Sequence, residues 1–371
     1  MFLCIGYYAF VGLGLLLGLS RCLYKKSDET PLVSVIVAAR NEEHNIPRLL
    51  GALSKQSYSP FEIIIVNDRS TDRTRQIAES YRARDPRITI LSVESMPTAL
   101  PPKKNALHLG ITHSKGEILC FTDADCVPPK QWLTELVAAC SHDVGLVAGY
   151  SPYDTSLLNG GQGKANLFSS RLHRFIEFEE YKGALWSAGS IGLHKGWLCT
   201  GRSLAYRKSV YEEIGGFRDI ANSISGDDDL LLQLVREKTS WTMRYVTSPE
   251  SFVTTAPPST FKEFIQQRTR HFSASKYFSL PMKLFFFTYH SANFLLLSSL
   301  VYSIVAGSSF MLALPGLLKI VIDVIQLSLA SNVFHAKFSV VESFFYECWT
   351  IAYNTIIGPL GFLQPVRWKE N

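Results

Sequence analysis

The chain has 371 residues, is 47% hydrophobic and carries a formal net charge of +5; it is too long and too apolar for one small soluble domain. The positive excess is modest and dispersed, which argues against nucleic-acid binding and suits anionic lipid headgroups or a nucleotide diphosphate. Seven cysteines, at 4, 22, 120, 126, 140, 199 and 348, form no C-x-x-C pair and no metal-spaced cluster, as befits a reducing compartment.

Met1 to Ser20 is nearly uncharged and contains Gly12-Leu-Gly-Leu-Leu-Leu-Gly-Leu19, followed at once by Arg21, Lys25 and Lys26. Its length suits a hydrocarbon core. A cleaved signal peptide places its charge before the apolar run, so residues 1–20 are expected to be an uncleaved transmembrane anchor with the following domain cytoplasmic.

From Pro31 the pattern changes to alternating strands and helices. Leu32-Val-Ser-Val-Ile-Val-Ala38 predicts a buried strand, and Arg40-Asn-Glu-Glu opens a helix running through Leu49, Leu50 and Leu53 to about Ser57. Phe61 to Val66 predicts a second strand, ended by Asn67-Asp-Arg-Ser-Thr-Asp72, whose polar residues can cap a helix over 74–84. Ile88 to Val93 is a third. This order implies a parallel sheet with right-handed crossovers and a ligand site beyond the carboxyl ends of its strands, where Arg40, Glu42, Asp68 and Asp125 all fall.

Gly116-Glu-Ile-Leu-Cys-Phe-Thr-Asp-Ala-Asp-Cys126 ends an apolar strand in two carboxylates one residue apart. In extended backbone Asp123 and Asp125 would share a face. Two acids so close repel unless a cation lies between them, which points to a hard divalent metal carrying a phosphorylated ligand. Neither G-x-G-x-x-G after the first strand nor a G-x-x-x-x-G-K-[ST] loop is present, which excludes the usual dinucleotide and P-loop phosphate turns.

Asn166 to Tyr181 reads as an amphipathic helix, suited equally to a membrane surface and to packing on the sheet. Ser225-Gly-Asp-Asp-Asp-Leu230 caps an apolar helical run, where acids are also favoured by the helix dipole alone. Beyond Pro281, 284–305 is a clear span. Residues 310–329 form a second, in which Lys319 and Asp323 lie four apart and can pair. Residues 338–363 are weaker, with Glu342, Glu347 and Gly358-Pro359, and are either spanning or re-entrant. Arg367 and Lys369 favour the non-spanning alternative, which keeps them on the cytoplasmic side.

Pro31-Leu-Val-Ser-Val-Ile-Val-Ala-Ala-Arg-Asn-Glu-Glu43, Val66-Asn-Asp-Arg-Ser-Thr-Asp72, Lys103-x-x-Ala-Leu-x-x-Gly110 and Phe121-Thr-Asp-Ala-Asp125 resemble, in order and spacing, the motifs of the family 2 inverting glycosyltransferases. The resemblance runs from about Pro31 to Tyr277. It implies an α/β GT-A fold with a mostly parallel, Rossmann-like sheet, binding a nucleotide-diphospho-sugar, a UDP-sugar in the first instance, with Ala39 and Glu42 at the base and ribose beside Arg40. Asp68 would contact the base, Asp123 the ribose, and Asp125 a Mg or Mn ion on the diphosphate. Lys103 matches the family's lysine, though Pro102 replaces the usual glycine before it, and Lys103 and Lys104 also read as a solvated pair. Thr200 to Arg207, followed by Ile214-Gly-Gly-Phe217, is similar to the acceptor-side strand and helix. Asp227 and Asp228 resemble the E-D motif, with Asp228 preferred as general base and Asp227 second. Gln266-Gln-Arg-Thr-Arg-His271 is similar to Q-x-x-R-W, with Gln267 and Arg270 matching, Arg268 beside them for the diphosphate, and His271 where tryptophan is usual.

The implied organisation is a catalytic domain over 31–277, with a nucleotide-sugar half to 150 and an acceptor half from 151, between the anchor and a membrane region over 284–363. The expected protein is an enzyme of the cell (inner) membrane that glycosylates a lipid or lipid-linked hydroxyl. A processive polysaccharide synthase and a non-catalytic nucleotide-binding scaffold are the alternatives.

Overall fold

A computed structural model describes the backbone of residues 1–95, 99–158 and 167–363, and side chains over 1–95, 99–158 and 170–358. Strands β1 (Val33–Ala39), β2 (Phe61–Asn67), β3 (Ile88–Ser92), β4 (Ile118–Phe121), β6 (Val144–Gly149), β7 (Leu204–Arg207) and β8 (Thr242–Val246) form a seven-stranded sheet in the order β3-β2-β1-β4-β7-β6-β8. A small β5 (Cys126–Val127) pairs with β9 (Thr254–Thr255) beside it.

The sheet is buried on both faces, which explains why its strands read as continuous apolar runs rather than alternating ones. One face, through Val35, Val37, Ile63 and Ile65, packs on α2 (Ile46–Leu53) and α5 (Trp132–Ala139). The other, through Ile36, Val66, Leu119 and Tyr206, packs on α4 (Pro102–His113), α6 (Leu167–Gly192) and α8 (Asp229–Lys238). Two short helices, α3 (Thr74–Arg82) and α7 (Lys208–Glu213), complete the crossovers, and α9 (Phe261–Ser273) follows β9.

Two expectations need correction. The helix after β1 begins at Ile46, not at Arg40. Asn41 adopts a positive φ of 54°, and the backbone N–H groups of Asn41, Glu42 and Glu43 donate to Ser70, Thr74 and Asp72. The left-handed backbone at Asn41 cannot continue into a right-handed helix, and these bonds from the segment after β2 hold residues 41–43 in that turn. The sheet is mostly parallel, as the resemblance implies; β7 alone among its seven strands runs antiparallel, to both β4 and β6. Its amino end, rather than its carboxyl end, therefore meets the edge where β1, β2 and β4 finish. Finally, Asp123 and Asp125 do not continue β4 in extended form. The chain turns there, with the Cys126 N–H donating to the Asp123 carbonyl at 3.1 Å.

The helix at 166–181 extends to Gly192, and its Phe178, Tyr181, Leu185 and Ala188 join the core on the sheet; Asn166 lies outside the described residues. Beyond the sheet, α6 meets α1 (Phe2–Ser20) through glycines. A Cβ at Gly18 or Gly192 would collide with the other helix's backbone, and one at Gly189 would lie 2.7 Å from the Leu15 carbonyl. Small residues let two helix backbones approach in this way. Gly18→Val is expected to cost about 1–3 kcal/mol through overpacking, read as a lower thermal midpoint in detergent; an unchanged midpoint would refute the contact.

Among the described residues three helices are long and apolar enough to cross a membrane: α1, α10 (Leu280–Val305) and α11 (Phe310–Phe334). The weaker segment forms α12 (Val340–Leu363). The expected Lys319–Asp323 pair is present and buried. It extends to Tyr8 of α1, to Glu347 of α12 at 3.7 Å, and from Glu347 to Lys182 of α6 at 2.5 Å, so each buried charge has an opposite partner. Arg367 and Lys369 lie outside the described residues.

Candidate functional site

The parallel strands β1, β2 and β4 end on one edge because their registers match: Ala39 is opposite Asn67, and Ile36 opposite Phe121. Phe121 in turn faces Leu204 at the start of β7, which brings Gly201 and Arg202 to the same edge. A small cleft lies there, lined by Lys103, Phe121, Asp123, Gly201, Tyr206 and Asp227 among others.

Lys103, in the first turn of α4, spans the cleft. Its Nζ lies 3.0 Å from Asp123 Oδ1 and 2.9 Å from Asp227 Oδ2. Burial alone would depress this ammonium, but Asp123, Asp227 and Asp228 outweigh it and raise its pKa. Burial opposes ionisation of Asp123 too, yet Lys103, then Arg202 and Arg270, hold its pKa below the usual range. Both groups are thus kept charged at neutral pH.

Asp227 and Asp228 differ in placement. Asp227 faces the cleft, whereas Asp228 is the N-cap of α8 and does not line it among the described residues. The Asp228 carboxylate accepts from the Gly201 N–H at 2.9 Å and the Asp229 N–H at 2.8 Å. Burial, with Asp227 next to it, raises the Asp228 pKa despite those bonds. Asp229 accepts from the Cys199 N–H at 2.7 Å, so both acids after Asp227 anchor backbone.

On the far side Ala39 and Asp68 are fully buried and Glu42 nearly so. Asp68 pairs with Arg69 at 2.8 Å, and Glu42 accepts from Asn45 Nδ2 at 2.7 Å. Arg40 is half-buried at the end of β1, and Asp125 half-buried in the turn after β4, where the Cys126 thiol donates to it at 3.6 Å. On α9, Gln267 accepts from the Tyr153 hydroxyl at 3.4 Å. Arg270 is close enough for its charge to act on Asp123, whereas Arg268 is committed to Glu179 of α6 at 2.8 Å. His271 is exposed.

Two residues here were missed by sequence reasoning. Arg202 pairs with Glu180 at 2.6 Å and lies over the Tyr153 ring, 4.8 Å from its centroid. It escaped notice because the strand rule directs attention to carboxyl ends, and β7 runs the other way. Lys104 is fully buried, not solvated, and donates to three carbonyls of the segment before Asp227.

Among the described residues no three His, Cys, Asp or Glu side chains gather to hold a metal. The edge instead offers Asp123, which lines the cleft, and Asp125, half-buried in the turn after β4. That set suits Mg²⁺ or Mn²⁺ held by one or two carboxylates, with phosphate and water oxygens completing the shell.

Residues 34–215 match the family model "Glycosyl transferase family 2". The chain is 29% identical over 269 residues to the probable glycosyltransferase YdaM of Bacillus subtilis, covering 70% of this chain and 59% of that one. It is 37% identical over 101 residues to the 4,4'-diaponeurosporenoate glycosyltransferase of Staphylococcus haemolyticus, covering 27% of this chain and 26% of the relative. The match therefore spans 59% or less of the length of these curated relatives. Among solved structures, mannosyltransferase PcManGT from Pyrobaculum calidifontis, in complex with GDP-Man and Mn²⁺, is similar at a TM-score of 0.58 and 18% identity, over 97% of this chain and 99% of that one. With a mostly parallel sheet of the GT-A kind and the family's motifs set along one edge of it, residues 34–215 are a family 2 glycosyltransferase domain.

Proposed function

We propose that the protein is a membrane-bound inverting glycosyltransferase that moves a sugar from a nucleotide-diphospho-sugar to a hydroxyl on a lipid or lipid-linked acceptor. The observation that carries this reading is the Lys103 bridge, which sets one carboxylate from the strand-end motif and one from the α8 motif across a single cleft. An inverting transfer needs that pairing. A donor-side group positions the sugar diphosphate, and a carboxylate opposite takes the acceptor proton as the oxygen attacks the anomeric carbon and the bond to the diphosphate breaks.

Asp227 is assigned as that base in preference to Asp228, because a base must reach the acceptor proton and the Asp228 oxygens are engaged by backbone N–H groups. Ala39, Arg40, Glu42 and Asp68 are assigned to the nucleotide and Asp123 to the ribose. Lys103 and Arg270, with Gln267 beside them, are assigned to the donor. Arg268, committed to Glu179, holds α9 on α6 instead. Asp125, with Asp123, would hold a Mg or Mn ion, whose charge offsets that of the departing diphosphate.

The acceptor assignment rests on α1, α10 and α11, each long and apolar enough to span. A membrane-dissolved acceptor reaches a tethered site by lateral diffusion at high effective concentration. Arg21, Lys25 and Lys26 after α1 favour a cytoplasmic domain on an inner cell membrane. The test supplies labelled nucleotide sugars to membranes containing the protein and partitions the product. A single discrete labelled species in the organic phase is the expected result. A high-mass, water-soluble polymer would instead establish a polysaccharide synthase, and donor binding without any transfer a scaffold.

A further inference from the structure

Lys104 is a lysine with no exposed surface, next to one that faces the cleft. Its Nζ donates to the carbonyls of Ile220 at 2.9 Å, Ser225 at 2.8 Å and Ser223. These acceptors lie on the segment that leads into Asp227. Its first part is held by backbone bonds from the Ile220, Ala221 and Ser223 N–H groups and by the Tyr277 hydroxyl on the Asn222 carbonyl, but between Ser223 and Asp228 no backbone N–H makes a backbone hydrogen bond among the described residues. Gly226 has a positive φ of 82°, so the chain turns sharply just before the acid. A three-donor ammonium converging on three carbonyls fixes such a segment as a single neutral side chain would not.

We propose that Lys104 is a positioning residue, holding the 220–226 segment so that Asp227 faces the cleft while Lys103 holds its carboxylate. The inference rests on the reading of Asp227 as general base. Successive residues in the first turn of α4 thus grip one segment twice, by its backbone and by its acid. A buried ammonium is costly to desolvate, and what offsets the cost here is the three carbonyls it satisfies, which a methionine would leave without that donor. Burial lowers the Lys104 pKa to about 8, with Asp227 and Asp228 opposing that shift and Lys103 adding to it. Above that pH the amine keeps only two donors for three carbonyls, and the grip loosens.

The test compares full-length wild type with Lys104→Met in detergent or nanodiscs, by steady-state transfer and by amide hydrogen exchange. A fall in kcat of tenfold or more, donor KM within about twofold, and faster exchange confined to 220–228 are expected. The wild-type kcat should also decline as pH rises through about 8, and the variant should lack that limb. Unchanged kcat, or unchanged exchange of the segment, overturns the inference. If Lys104→Met does not fold, Lys104→Gln, which keeps two donors, takes its place: a fall in kcat with faster exchange confined to 220–228 supports the inference, and unchanged kcat and exchange overturn it. Absence of transfer by wild type would instead overturn the proposed function, and the exchange comparison would still judge the grip on the segment.

Discussion

Asp227→Asn is expected to abolish transfer while leaving donor affinity nearly unchanged. The substitution keeps the shape of the side chain but removes its capacity to accept a proton, and loss of a general base costs ~10²–10⁴ in rate. Donor affinity should survive because the residues assigned to the donor, Lys103 and Arg270 with Asp123 at the ribose, are all retained. Asp228→Asn separates the alternatives. Its amide oxygen can still accept one backbone N–H, so the cap of α8 is weakened rather than lost, and a several-fold fall in rate is expected. Transfer assays with donor binding measured in parallel decide between them. A dead Asp228→Asn beside an active Asp227→Asn would move the base by one residue.

That ambiguity shows where the sequence was legible and where it was not. The strands at 33–39, 61–67 and 118–121 are apolar runs long enough to be read directly, and their parallel order follows from the helices between them. The D-x-D was legible as a pair but not as a geometry, because the turn at Asp123 depends on a backbone bond to Cys126 that no periodicity signals. Three consecutive acids at 227–229 look alike as letters. Only the approach of Gly201 and Cys199, from the segment before an antiparallel strand, distinguishes the ones that bind backbone from the one that faces the cleft. Arg202 and Lys104 were hidden for a related reason. Their partners are 22 and more than 100 residues away in sequence, so neither local propensity nor spacing brings them together.

Removal of the divalent cation, by chelator or by Asp125→Ala, is expected to reduce transfer by ~10²–10⁴, because a metal supplies several kcal/mol of charge stabilisation to such a leaving group. A diphosphate is not protonated near neutral pH, so its charge must be met by cations in the cleft. Lys103 and Arg270 cannot meet it alone, since Lys103 is shared between two carboxylates and the charge of Arg270 already acts on Asp123. Restoring Mg²⁺ or Mn²⁺ should recover the wild type fully and Asp125→Ala little. Full turnover of Asp125→Ala in chelator would remove the metal from the account.

The most direct measurement is the anomeric configuration of the product. The protein, in lipid, is given an α-linked nucleotide sugar with extracted lipid acceptor, and the product's anomeric proton coupling is read by NMR. An in-line attack by a hydroxyl activated at Asp227 is expected to give a β-glycoside on an organic-soluble product, lost in Asp227→Asn. An α-glycoside, or a β-glycoside formed equally well by Asp227→Asn, would contradict it.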